Sequence, residues 1–149
     1  MDKQPPKDAP RTSPWVVFDG DCAFCTSSAT WVAERLRRDG RPTAELVPWQ
    51  FTDLAALGAT RHRAQREVLW VPAEGPVCGG ADAFAAWLRF SGMPYAILGR
   101  VMTWPGVRQL AGAVYRLVAA NRQHLPGGSP ACALPPAGFD PAEPGSKTL

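Results

Sequence analysis

The chain has 149 residues, 46% of them hydrophobic, and carries a net charge of +3. That size bounds it to one domain with tails, or at most one and a half, and allows a buried core without covalent staples. The charge is spread along the chain, so no nucleic-acid partner is demanded, and no apolar run approaches the length of a bilayer span. The N-terminal stretch MDKQPPKDAPRTSP lacks the apolar segment of a secretory signal. The expected compartment is therefore the cytosol, where lasting structural disulfides are uncommon. Four cysteines in such a setting point to redox, metal or packing roles.

Residues 1–14 contain proline and lysine without periodicity, and are expected to form a disordered arm. Trp15 to Phe18 is an apolar run that reads as a short buried strand, followed by the turn signal Asp19-Gly20. From Cys25 the apolar residues Ala29, Val32, Ala33 and Leu36 recur at helical spacing. They predict one face of a helix from about Cys22 to Arg38, with Arg35, Arg37 and Arg38 suited to its negative end and Asp39-Gly40 as its stop. Ala44 to Trp49 is a second strand, and Pro48 places it at a sheet edge. Together these form a βαβ unit with parallel strands.

Thr52 is then expected to cap a short helix over Asp53–Leu57, closed by Gly58. Ala59 to Arg66 is a basic connection or helix face. Glu67 to Val71 and Pro76 to Cys78 read as a hairpin broken by Gly79-Gly80. Three helical segments follow: Ala81 to Phe90, Tyr95 to Thr103, and about Gly106 to Arg122. The last carries Val107, Leu110, Ala111, Val114, Leu117 and Val118 on one face. Proline and glycine dominate from Pro126, and 126–149 reads as a flexible tail. The order β-α-β, helix, hairpin, helices is that of a thioredoxin-like α/β domain over 15–125. It predicts a four-stranded mixed sheet flanked by helices, with extra C-terminal helices.

Cys22-Ala23-Phe24-Cys25 stands where the first strand gives way to the first helix. The first N–H groups of a helix lack partners and carry partial positive charge, which favours a thiolate there. The expected roles are Cys22 as the attacking thiolate, exposed at the helix start, and Cys25 as the resolving thiol, deeper on the apolar face. Asp21 is placed to cap the helix. Asp19 or Asp21 is a candidate to relay a proton with Cys25, the alternative being turn and cap formation alone. Cys78 is expected to pack at a strand end, and Cys132 to be a free thiol in the tail. His62 and His124 lack ligand-like spacing, and two lone cysteines do not make a second Cys-x-x-Cys, so no metal site is predicted. Thr26 after Cys25 excludes a c-type haem attachment. Asp82 beside Gly79-Gly80 is a candidate helix cap. The glycines admit a close backbone approach near the cysteines. The tryptophans read as core or rim, and Arg100, Arg108 and Arg116 as a solvated face.

At Phe18-Asp19-Gly20-Asp21-Cys22-Ala23-Phe24-Cys25 the sequence resembles the DCC family of thiol-disulfide oxidoreductases, named for an Asp-Cys-x-x-Cys motif. Gly79-Gly80-Ala81-Asp82-Ala83-Phe84 resembles that family's second signature, and Tyr115-Arg116 through Asn121-Arg122 its Tyr…Asn-Arg ending. The resemblance covers roughly Val16 to Cys132. It implies a thioredoxin-like fold and dithiol-disulfide exchange without a bound cofactor. Thioredoxins carry a cis-proline before the third strand; here Gln65-Arg66-Glu67 has none. The residues expected to carry the chemistry are Cys22, Cys25, Asp19 and Asp21. Those expected to meet the substrate are Gly20, Ala23, Phe24, Gly79, Gly80 and Asp82. The implied partners are a thiol or disulfide substrate, protein or small molecule, and a reductant for recycling. The alternative function is a thioredoxin-like binding module whose cysteines hold a metal or are structural.

Overall fold

A computed structural model describes residues 11–125. The sheet has four strands in the order β2-β1-β3-β4. β1 (Trp15–Phe18) lies inside it, parallel to β2 (Glu45–Pro48) and antiparallel to β3 (Leu69–Val71); β4 (Cys78–Gly79) closes the far side antiparallel to β3. β2 is an edge strand, as Pro48 requires, because a proline cannot donate to a ladder.

Alternation along the strands sorts the core onto two faces. Val16 and its cross-strand neighbour Trp70 face one side, where they meet Ala33, Leu36, Ala83 and Trp87. Val17, Leu69 and Val71 face the other, against Ala59 and Ala64. Helices α1 (Ala23–Arg38) and α3 (Ala81–Phe90) therefore cover one face, and the short α2 (Arg61–Arg66) the other. This mixed four-stranded sheet with flanking helices matches the expected thioredoxin-like architecture.

α1 buries Ala29, Ala33 and Leu36, the stripe read from the sequence. Its end is a Schellman arrangement: Gly40 N–H donates to the Arg37 carbonyl and Arg41 N–H to that of Leu36. Gly40 adopts φ +67°, which a residue with a Cβ takes only under strain. α4 (Tyr95–Val101) packs on α3, and α5 (Val107–Asn121) crosses beside it.

The helix expected over Asp53–Leu57 does not form. A 3-10 turn over Trp49–Phe51 precedes it, and Thr52 spends its hydroxyl backwards on the Pro48 carbonyl instead of capping forward. Asp53 then takes the Ala56 N–H, a local turn that competes with helix. The third and fourth strands are shorter than predicted, starting at Leu69 and Cys78. Residues 11–14 of the expected arm are anchored: Pro14 is buried, its carbonyl accepts from Glu45 N–H, and the Arg11 guanidinium lies over the Trp15 ring. The rest of that arm and the tail at 126–149, with Cys132, lie outside the described residues.

Leu69 is fully buried on β3 between the sheet and α2. Leu69→Ala is expected to cost about 2–5 kcal/mol, the usual price of an aliphatic core truncation, measured as a lower denaturant midpoint at unchanged slope.

Candidate active site

Cys22 is the N-cap of α1, with extended backbone (φ −90°, ψ 110°). Its Sγ accepts the Cys25 N–H at 3.3 Å, so sulfur replaces the usual capping oxygen. Asp21 is therefore not the cap, and its side chain lies on the exposed surface. The two cysteines approach within 3.1 Å of one another. Cys22 is disulfide-bonded while Cys25 is a free thiol, so the two sulfurs are not joined to each other in this structure.

Exposure runs opposite to expectation. Cys22 is 0% exposed, while Cys25 is half-buried and lines a cavity of about 540 Å³ between α1 and α5. The N-cap geometry folds the Cys22 sulfur back over the first turn. Cys25, one turn on, points into the space that α5 leaves open.

Asp19 is buried, at 7% exposure. Its Oδ1 accepts three N–H groups, from the Asp21 backbone, the Trp49 indole and the Gln50 amide, at 3.1 to 3.3 Å. Three donors on one carboxylate oxygen fix the orientation of the side chain. The Asp19 Oδ2 faces Arg122 at 3.8 Å.

Arg122 is the residue that sequence reasoning missed. It is the C-cap of α5 and only 5% exposed. Its guanidinium donates to the Cys25 Sγ at 3.2 Å and to the Gln65 carbonyl at 2.6 Å. The Gln65 carbonyl belongs to the stretch before β3 where thioredoxins carry a cis-proline, so a guanidinium fork occupies that side of the site. Burial pushes the Cys25 thiol above its ordinary value, and Arg122 pulls the other way by charge and hydrogen bond. Asp19 faces the same guanidinium that donates to Cys25, and its charge opposes a thiolate there.

A signal for Arg122 was present in the spacing. Arg108, Tyr115 and Arg122 are seven apart, hence on one side of α5. Arg108 makes two contacts with the Asp82 carboxylate, at 3.0 and 2.7 Å. Tyr115 Oη accepts the Val68 N–H at 2.8 Å. Burial pushes the Tyr115 phenol up to about 12, so it stays neutral. These ties, with Arg122, fasten α5 along its length.

Asp82 accordingly does not cap α3. Gly80 is the N-cap without a side-chain bond, and the Arg108 hydrogen bonds hold the Asp82 carboxyl below the usual carboxylate range. Gly79 does admit a close approach, but from the Glu67 carboxylate, which would collide with any Cβ there. Gly79, Gly80 and Asp82 line a second, more polar recess with Arg108 and Arg116, on the other side of Tyr115 from the cysteines. Of the residues expected to meet a substrate, Phe24 lines the main cavity. Ala23 is exposed at the start of α1, and Gly20 is exposed with its N–H held by Gln50. Cys78 pairs with Trp70 at the sheet edge and packs against the core, as expected. Among the described residues no three His, Cys, Asp or Glu side chains converge.

A model of the DCC1-like thiol-disulfide oxidoreductases matches residues 16–128, from β1 past the end of α5. The chain belongs to that family. The match takes in the cysteine pair, Asp19, the Gly79-Gly80 bend and Arg122 alike, so the whole site lies inside the family region. No curated protein and no solved structure is significantly similar to the chain. No helix among the described residues is long and apolar enough to cross a membrane.

Arg122→Met removes a charged donor while keeping much of the packing volume. It is expected to raise the Cys25 thiol further and slow its alkylation at neutral pH by about 10- to 100-fold, the worth of a hydrogen bond to a charged group. Thiolate absorbance against pH checks it. Arg122→Lys, a point charge without the fork, is expected to recover part of the shift.

Proposed function

We propose that this protein is a cytoplasmic dithiol-disulfide oxidoreductase that works through Cys22 and Cys25 without a bound cofactor. The observation that carries the reading is a cavity-facing thiol, Cys25, held by a buried guanidinium with a second cysteine sulfur directly behind it. A partly exposed sulfur in an electropositive setting is the environment of a reactive cysteine. The family assignment agrees with this activity.

The order of the two steps follows access. Cys25 as thiolate attacks a substrate disulfide R–S–S–R′, and R′–S⁻ leaves and takes up a proton. Cys22, in its reduced form, then attacks the Cys25 sulfur and releases R–S⁻. The substrate gains two electrons and becomes two thiols, while the enzyme loses two and holds a Cys22–Cys25 disulfide. A dithiol reductant returns it. Arg122 serves the first step, favouring Cys25 as nucleophile, and R–S⁻ is the leaving group of the second. The helix start and the N–H on Cys22 favour the reverse order, with Cys22 attacking, and the two orders are separable by trapping.

Reduced Cys22→Ser is expected to accumulate a mixed disulfide at Cys25, identified by peptide mass. Cys25→Ser is expected to trap far less through Cys22. Trapping in Cys25→Ser alone would restore the reverse order, and trapping in neither would favour the binding-module alternative.

The pH dependence has a definite sign. Because burial pushes the Cys25 thiol above its ordinary value, its thiolate fraction is small at neutral pH and grows about tenfold per pH unit below the pKa. The single-turnover rate with a disulfide is expected to be still climbing at pH 9. A plateau by neutral pH would contradict Cys25 as the attacking group.

A further inference from the structure

α5 is amphipathic, yet none of its residues is buried. Leu110 and Val114 are 66% and 51% exposed. The helix is held off the domain by its three polar ties and by the Phe84–Tyr115 ring contact. Its apolar side therefore forms the wall of a trough. Val107, Leu110, Val114 and Val118 face Phe24 and Phe84 across it, and Cys25 sits at the polar end. The volume, about 540 Å³, falls within the range of small-molecule sites.

The charged groups on this lining and the Tyr115 hydroxyl are already engaged within the protein. Asp19 Oδ1 has its three donors, Tyr115 Oη has Val68 N–H, Arg122 has Gln65 and Cys25, and Glu67 is paired with Arg63. A charged disulfide entering here would lose its water and find no matching partner, which costs free energy. An apolar one would lose nothing polar and bury its body against the α5 stripe.

We propose that the trough selects small disulfides with apolar bodies, seating the carbon skeleton along α5 and a sulfur against Cys25. This rests on the redox reading above and deepens it. The exchange step is the one already written, with the apolar disulfide as R–S–S–R′ and two apolar thiols as products.

The test is a single-turnover reaction of the pre-reduced full chain with dibutyl disulfide and with glutathione disulfide. Each rate is divided by that of a free cysteine peptide. The normalised rates are expected to favour dibutyl disulfide by at least about tenfold, the discrimination that a few methylenes in an apolar pocket provide. Val114→Asp, at an exposed position on the wall, is expected to erase that preference. Leu117→Asp, on the same helix but off the lining, is expected to leave it intact. Equal normalised rates, or a preference indifferent to Val114→Asp, would overturn the proposal while the redox function stood.

A second measurement separates the two readings. The neutral fluorophore N-phenylnaphthylamine is titrated into Cys25→Ser protein, which cannot exchange through that thiol. Emission enhancement that Val114→Asp abolishes supports the trough even if no disulfide is ever reduced. Its absence overturns the trough, including the case in which another part of this chain, or an apolar peptide partner, fills it.

Discussion

The site depends on one guanidinium. Arg122 touches the Cys25 sulfur and the Gln65 carbonyl, and faces the buried Asp19 carboxylate. It thereby joins the first helix, the approach to the third strand and the turn after the first strand, segments far apart in the chain. A buried cation is costly unless its protons are used. Here they are spent on a sulfur whose charged form the cation favours, so the expense of burial becomes electrostatic support for a thiolate.

The remaining features make sense around that contact. Asp19 is locked by three N–H donors and faces Arg122. Its Trp49 and Gln50 donors come from the 3-10 turn after the edge strand, which gives the Pro48-to-Thr52 bend a positioning role. α5 must lie at a fixed height for its C-cap residue, Arg122, to reach Cys25, and the Asp82–Arg108 and Val68–Tyr115 contacts set that height. The same height leaves the apolar side of α5 unpacked. A guanidinium-held thiol and an apolar trough are thus consequences of one placement.

Much of this was legible in the sequence because it is local. The α1 stripe and its Asp-Gly stop, the edge position signalled by Pro48, and the strand-to-helix seat of the cysteine pair all depend on neighbours within a few residues. What was not legible is long-range. The Arg122–Cys25 contact spans 97 residues, and the seven-residue spacing along α5 places Arg122 on a face without naming its partner. Which cysteine is covered depends on where α5 lies and on the N-cap rotation of Cys22. Asp82 and Thr52 both carry helix-cap chemistry in their composition, but each found a better acceptor or donor, Arg108 and the Pro48 carbonyl. Local propensity proposes a cap, and tertiary partners override it.

The central claim is that these two sulfurs form one reversible two-electron couple tuned by a buried arginine. Its most direct measurement is an equilibrium redox titration of the full chain in a dithiol buffer, with peptide mapping at each point. The account predicts a single two-electron transition in which the peptide containing both Cys22 and Cys25 gains an internal disulfide, shifted to a different potential in Arg122→Met. Two thiols that stay reduced across the whole range while oxidation proceeds elsewhere, or a transition indifferent to Arg122, would contradict it.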